Sequence, residues 1–224
     1  MTNGAPLPRR VIAASSDLEQ GMHVLAGIDP AWAQLIARTG VPRLRRREGG
    51  FAGLASIIVG QQVSVASAQA IWTRTGAVLG EITAARLLLA SDEELRQCGL
   101  SRPKQRTLRA IAAAVAGGGL DLAALEDTDA DTVRQRLTAI SGIGPWTADV
   151  YSLFCLGHAD SFASGDLALQ EAARHAFDLP ARPAARALDA LAEPWRPWRG
   201  VAAHLLWEYY AIVKGREGLI GRSE

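Results

Sequence analysis

Lysine is nearly missing from this chain. Of its 24 basic residues only Lys104 and Lys214 are lysines, and the 24 cations are balanced by 23 acids, for a formal charge of +1. No bulk charge therefore selects a partner; only its distribution can. Cysteine is equally scarce. Cys98 and Cys155 stand far apart in helical-looking segments, which excludes a disulfide framework and a cysteine-ligated zinc or iron–sulfur site. A reducing, cytoplasmic setting fits such a chain. No apolar run reaches the roughly 18–20 residues that a membrane span needs. The opening "MTNGAPLPRRVIAASSDLEQG" has no apolar stretch followed by a cleavage site, so residues 1–20 read as a loose terminal segment and not as a signal peptide. Alternating strands and internal repeats are also lacking.

What the chain has is helix. Its 49% hydrophobic and 21% charged residues are those of a folded globular protein. Asp29-Pro30 opens a helix that Gly40 closes. "FAGLASIIVGQQ" (51–62) is apolar on most sides, as a central buried helix should be, and Ser64 caps the next one. Ser91 and Glu94 have capping-box spacing. "PKQRTLRAIAAAVAGGG" is stopped by its glycines, and further helices follow to the end. The pattern predicts an all-α protein of about ten helices. Two basic stretches, "LRRRE" (44–48) and "SRPKQRTLR" (101–109), suit an anionic partner met from one side; each taken alone also reads as a solvated face.

One interruption stands out. In "TVRQRLTAI-SGIG-PWTADVYSLF" two helices are joined by a four-residue turn. Gly142 and Gly144 can adopt positive φ and, without a β-carbon, admit another backbone closely. Pro145 takes the first position of the second helix, where its missing N–H costs nothing. Free backbone N–H groups beside a helix start suit a phosphate, although an αα-corner would use the same residues.

Leu137-x-x-Ile140-x-Gly142-Ile143-Gly144, followed by "PWTAD", resembles the helix-hairpin-helix of the DNA glycosylase superfamily that joins this hairpin to a Gly/Pro-rich loop and a catalytic aspartate. Asp166 stands 20 residues beyond Trp146, where the family places that aspartate. "FAGLASIIVGQQVSVASAQAIW", "GLSRPKQRTLRAIAAAV" and "PWRPWRGVAAHLLWEYY" are similar to 3-methyladenine DNA glycosylase II, in order and across residues 20–215. The loop before the aspartate departs from the usual "FP" and reads "FASGD". Larger members carry a further N-terminal α/β domain, for which this chain has no room.

The resemblance implies an all-α helix-hairpin-helix DNA glycosylase fold with two helical subdomains flanking a DNA-binding cleft. It places the domain at 21–215, the hairpin at 132–157 and a tail at 216–224. Asp166 would favour the oxocarbenium-like sugar as the glycosidic bond breaks; its plainer reading is a helix N-cap, and Asp160 is a weaker candidate. Trp146 and Trp207 would line the base pocket with Val150, an electron-rich surface for a cationic alkylpurine; Trp207 also reads as core. Gln62 would fill the gap left by the flipped base. Further DNA contacts would come from Gln61, Gly142, Gly144, Thr147, Arg102, Lys104 and Arg106. Carbonyls of Thr138, Ile140 and Ile143 would hold a monovalent sodium or potassium ion; no other cofactor is implied. Bifunctional members place a lysine where this chain has Trp146, so water is the implied nucleophile. The implied protein is a monomeric, bacterial-type, nucleoid-associated repair enzyme acting on alkylated bases in double-stranded DNA, without a membrane partner. The same residues leave open a non-catalytic DNA-binding protein and a glycosylase for oxidised or deaminated bases.

Overall fold

The computed structural model describes residues 10–220, with side chains through residue 215. Twelve α-helices lie among them: α1 (Ser15–Ile28), α2 (Pro30–Thr39), α3 (Gly50–Gly60), α4 (Val65–Leu79), α5 (Ala84–Leu89), α6 (Asp92–Gln97), α7 (Arg102–Ala116), α8 (Ala130–Thr138), α9 (Pro145–Tyr151), α10 (Leu167–Ala176), α11 (Ala185–Ala192) and α12 (Arg199–Ile220). A π-helical turn, Ser152–Leu156, prolongs α9. The only strand-like feature among the described residues is an antiparallel bridge between Val11 and His158. No helix there is long and apolar enough to cross a membrane.

The ends of several helices follow from their sequences. Asp29 accepts the N–H of Ala31, and Gly40 terminates α2 at φ 64°. Ser64 accepts from Ser67, and Ser91 with Glu94 completes a capping box. Two helices exceed the sequence expectation. Residues 15–20 were read as part of a loose segment, yet they open α1. Asp17 reaches back to the N–H groups of Ala13 and Ala14 (2.8 Å each), closing a turn that Ala14 has no side chain to cap. The short α5 has no legible period and is held instead by Thr83, which accepts from Arg86. At the other end α12 continues through Ile220, into the expected tail; residues 1–9 and 221–224 lie outside the described residues.

The chain divides into two compact helical units. One combines the segment up to Arg46 with that from Gly157 onward; the other is the intervening 47–156. In the first unit Trp32, fully buried, meets Phe177 (5.4 Å) and Trp195 (4.9 Å) edge-on. Gly21 lets α1 and α12 touch: a β-carbon there would lie 2.6 Å from Val201 and 2.8 Å from Trp198. In the second unit the uncharged α3 is central and packs on α4, α7 and α9, with Leu54 and Ile58 wholly buried. Cys98 and Cys155 are buried in this unit and form no disulfide, and burial pushes the Cys98 thiol pKa up.

Candidate active site and nucleic-acid interface

In the first unit Asp166 is the N-cap of α10. Its Oδ1 accepts from the backbone N–H groups of Ala168 (2.9 Å) and Leu169 (3.2 Å). A third donor comes from 41 residues away: Trp207 of α12 gives its indole Nε1–H to the same oxygen at 3.2 Å. Trp207 is half-buried, so the reading of it as plain core is incomplete. It fixes the orientation of the carboxylate. The helix start and the indole together place one acidic group rigidly at a partly exposed position, as transition-state stabilisation requires.

Asp160, the weaker candidate, is spent elsewhere. Arg196 holds its Oδ2 (2.6 Å), and Arg199 holds both oxygens (2.8 and 3.0 Å). Two guanidinium groups on one carboxylate make a structural clamp and leave it a poor partner for a developing cation.

The second unit carries the hairpin. α8 and α9 are joined by an exposed turn and clasped by Arg134, whose Nη2 meets the buried Asp149 at 3.2 Å. The two glycines differ. Gly142 has φ 90°, and a β-carbon on it would run into Thr107 of α7, so the protein itself demands glycine there. Gly144 does not take the positive φ that the sequence allows. It sits at φ −90°, ψ 168°, and an added β-carbon would meet nothing within 4 Å. The N–H groups of both glycines have no hydrogen-bond partner among the described residues. Orphan donors in an open turn, at the start of a helix, are suited to an anion.

Around the hairpin some expected DNA contacts turn inward. Gln61 donates from Nε2 to the Thr147 hydroxyl at 2.6 Å, and Thr147 is 1% exposed. Both were expected to touch DNA. They bind each other instead, because Thr147 faces the unit's core from the first turn of α9. Lys104 donates to the Val59 carbonyl at 2.7 Å, near the last turn of α3, and burial lowers its pKa. Gln61 and Lys104 thus brace the segment that presents Gln62. Gln62 itself is exposed and held at φ 55°, a costly conformation for a side-chain-bearing residue. Arg102 and Arg106 are exposed. Trp146 is half-buried and Val150 is 5% exposed, both on α9. Of the remaining tryptophans, Trp32, Trp195 and Trp198 are buried and Trp72 is half-buried.

Known proteins resemble this chain over most of its length. Residues 55–197 match the model of the HhH-GPD superfamily base excision DNA repair proteins. The alkylbase DNA glycosidase-like protein mag2 of Schizosaccharomyces pombe is 25% identical over 88% of this chain and 96% of its own length. A probable bifunctional transcriptional activator/DNA repair enzyme AlkA of Mycobacterium tuberculosis is 33% identical over 89% of the chain, which spans 41% of that protein. Among solved structures, a DNA-3-methyladenine glycosidase from Bacillus halodurans superposes with a TM-score of 0.79 at 30% identity, covering 93% of this chain and 95% of the other. The hairpin, its orphan amides and the aspartate that caps α10 all fall within the matched residues, and the chain belongs to the HhH-GPD superfamily of base excision DNA repair proteins.

Proposed function

We propose that this protein is a monofunctional DNA glycosylase that hydrolyses the N-glycosidic bond of alkylated purines in duplex DNA. The observation that carries the reading is Asp166, with one oxygen fixed by two backbone N–H groups and the Trp207 indole. An N-alkylated purine already carries positive charge and leaves readily. The remaining barrier is the oxocarbenium-like sugar, which a fixed carboxylate stabilises while it orients or deprotonates the attacking water. The relatives named for alkylbase and 3-methyladenine chemistry support this substrate class.

The other residues take subordinate roles. The amides of Gly142 and Gly144 take a backbone phosphate and place the protein without reading sequence. Gln62 fills the space of the flipped base. Trp207 and Trp146 offer aromatic faces to the cationic base, and Val150 follows Trp146 by about one helical turn on α9. The carbonyls of Thr138, Ile140 and Ile143 form an oxygen-only donor set that suits a sodium or potassium ion. Thr138 ends α8, where carbonyls lack intrahelical partners, and the Ile140 oxygen accepts from Ile143 (3.1 Å) with a second lone pair remaining. Such an ion would offset phosphate charge. A DNA-directed monomer with two buried reduced thiols fits a reducing, nucleoid-associated compartment.

The test is incubation with alkylated, deaminated and oxidised duplexes and identification of the bases released. Release of methylated purines is expected; release of oxidised bases alone would overturn the substrate class. Strands should break only after alkali is added, and borohydride should trap no covalent adduct. Lys104 is engaged with Val59, and Lys214 lies 5.6 Å over the Tyr210 ring. An adduct that vanishes in a Lys104→Ala, Lys214→Ala double variant would show lysine chemistry and end the monofunctional reading.

A further inference from the structure

The segment that ends at Asp166 runs through the interior of the first unit. Phe162, Ala163 and Ser164 are buried, and Gln170 donates from Nε2 to the Ser164 carbonyl at 2.9 Å. Asp160 lies six residues before Asp166. It meets Arg196 through Oδ2 and Arg199 through both oxygens, and Glu193 accepts from Arg196 at 3.0 Å on the outer side. Two guanidinium groups and two carboxylates balance, which allows Arg199 to be 7% exposed. Beside this clamp the Gly200 N–H donates to the Ala159 carbonyl at 2.6 Å.

The same helix start leads to Trp207. Arg199 opens α12, and Trp207 follows eight residues later, about 12 Å along the axis. The Gly200 carbonyl accepts from His204 Nδ1 at 2.8 Å, and the His204 ring meets the Trp207 ring edge-on with centroids 6.4 Å apart. A carbonyl only accepts, so His204 carries a proton on Nδ1. Trp207 then donates to Asp166 at 3.2 Å, the far end of N–H···O geometry, where a small further shift breaks the bond. Apolar burial of Val201 and Leu205 holds α12 in the unit without direction. The two-pronged Arg199 pair is directional and fixes the rotation and height of the helix start.

We infer that Asp160 is a positioning residue for excision: through Arg196 and Arg199 it sets α12 so that Trp207 reaches and orients the Asp166 carboxylate. Asp160 touches no reacting atom in this role. The proposal rests on the reading of Asp166 as the group that stabilises the sugar, but it also makes a claim about Trp207 that needs no excision to test.

The test is Asp160→Asn, which keeps the size and removes the charge. In the folded variant the Trp207 indole N–H should exchange with solvent faster by NMR; it is one of six tryptophan signals and the one that Trp207→Phe deletes. Single-turnover excision of methylated purine at saturating DNA should fall by roughly tenfold, the effect of losing the Trp207 bond, with affinity for undamaged duplex kept. In a Trp207→Phe background the same substitution should slow excision no further, because the bond it acts through is already gone. If Asp160→Asn does not fold, Arg199→Lys keeps the charge, gives up the two-pronged contact and should produce the same results. A lowered Tm with parent excision and parent indole exchange would make the clamp a staple of the fold and overturn the proposal. So would a rate loss that adds in full to that of Trp207→Phe, or a uniform loss of DNA affinity. If the parent excises nothing, the reading of Asp166 fails, and indole exchange still decides whether the clamp sets Trp207.

Discussion

Asp166 has two roles that one substitution separates. As N-cap it accepts from Ala168 and Leu169; in the proposed function its charge also stabilises the reacting sugar. Asparagine caps a helix about as well as aspartate, whereas alanine costs about 1 kcal/mol. Asp166→Asn should therefore keep the parent Tm, and Asp166→Ala should lower it by roughly 2–4 °C. What asparagine lacks is the charge. A carboxylate about 4 Å from a developing unit cation, at an effective dielectric constant of about 20, contributes about 4 kcal/mol. That is a factor of about 10³ in rate. Single-turnover release of methylated purine should accordingly fall by about three orders of magnitude in Asp166→Asn, with binding to abasic-analogue DNA retained. Near-parent excision by this variant would refute the reasoning and leave Asp166 as a cap alone. Asp160 offers no rescue, since Arg196 and Arg199 already claim both of its oxygens.

Four further outcomes follow from the same geometry. Trp207→Phe keeps a ring but removes the 3.2 Å hydrogen bond to Asp166, so excision should drop by roughly tenfold, the effect of about 1.5 kcal/mol for a bond to a charged group, on every substrate alike; Trp207→Ala should then cost cationic methylated purines more than neutral hypoxanthine, and equal losses would deny the ring a place against the base. Gly144→Val meets no atom of the protein within 4 Å and should fold with at most about 1 kcal/mol lost at the cap, yet weaken binding to damaged and undamaged duplexes equally; a loss confined to damaged DNA would move the hairpin into base recognition. Gln61→Ala removes the 2.6 Å brace to Thr147 and should slow single-turnover excision by roughly fivefold, for about 1 kcal/mol, with affinity for undamaged duplex unchanged; a uniform affinity loss would return Gln61 to the DNA contacts.

The hairpin was legible because glycine and proline punctuate a helix in few ways, and the turn at 139–144 lies where that punctuation puts it. The helix caps at Asp29, Ser64 and Ser91 were legible for the same reason: their partners are two or three residues away. What escaped the sequence is set by long-range neighbours. The Trp207 bond to Asp166 joins residues 41 apart, and the Gln61 bond to Thr147 joins residues 86 apart. No local pattern encodes either one. The roles of the two glycines could not be divided without Thr107 beside the first and open space before the second.

Charge shows the same limit most sharply. Along the sequence, Arg102, Lys104 and Arg106 form one basic run and invite one role. A helix turns each residue about 100° from the last, so neighbours in a run diverge in space. Lys104 points inward and donates to the Val59 carbonyl, where its ammonium helps hold the segment that carries Gln62. Arg102 and Arg106, four residues apart, return to one face and open on solvent. An ammonium can give up part of its hydration to a helix-end carbonyl, while two guanidinium groups left without partners keep their donors for an outside anion. Replacing Lys104 should thus disturb the positioning of Gln62, and replacing the arginines should disturb salt-dependent binding. The run divides by function where the helix divides it by direction.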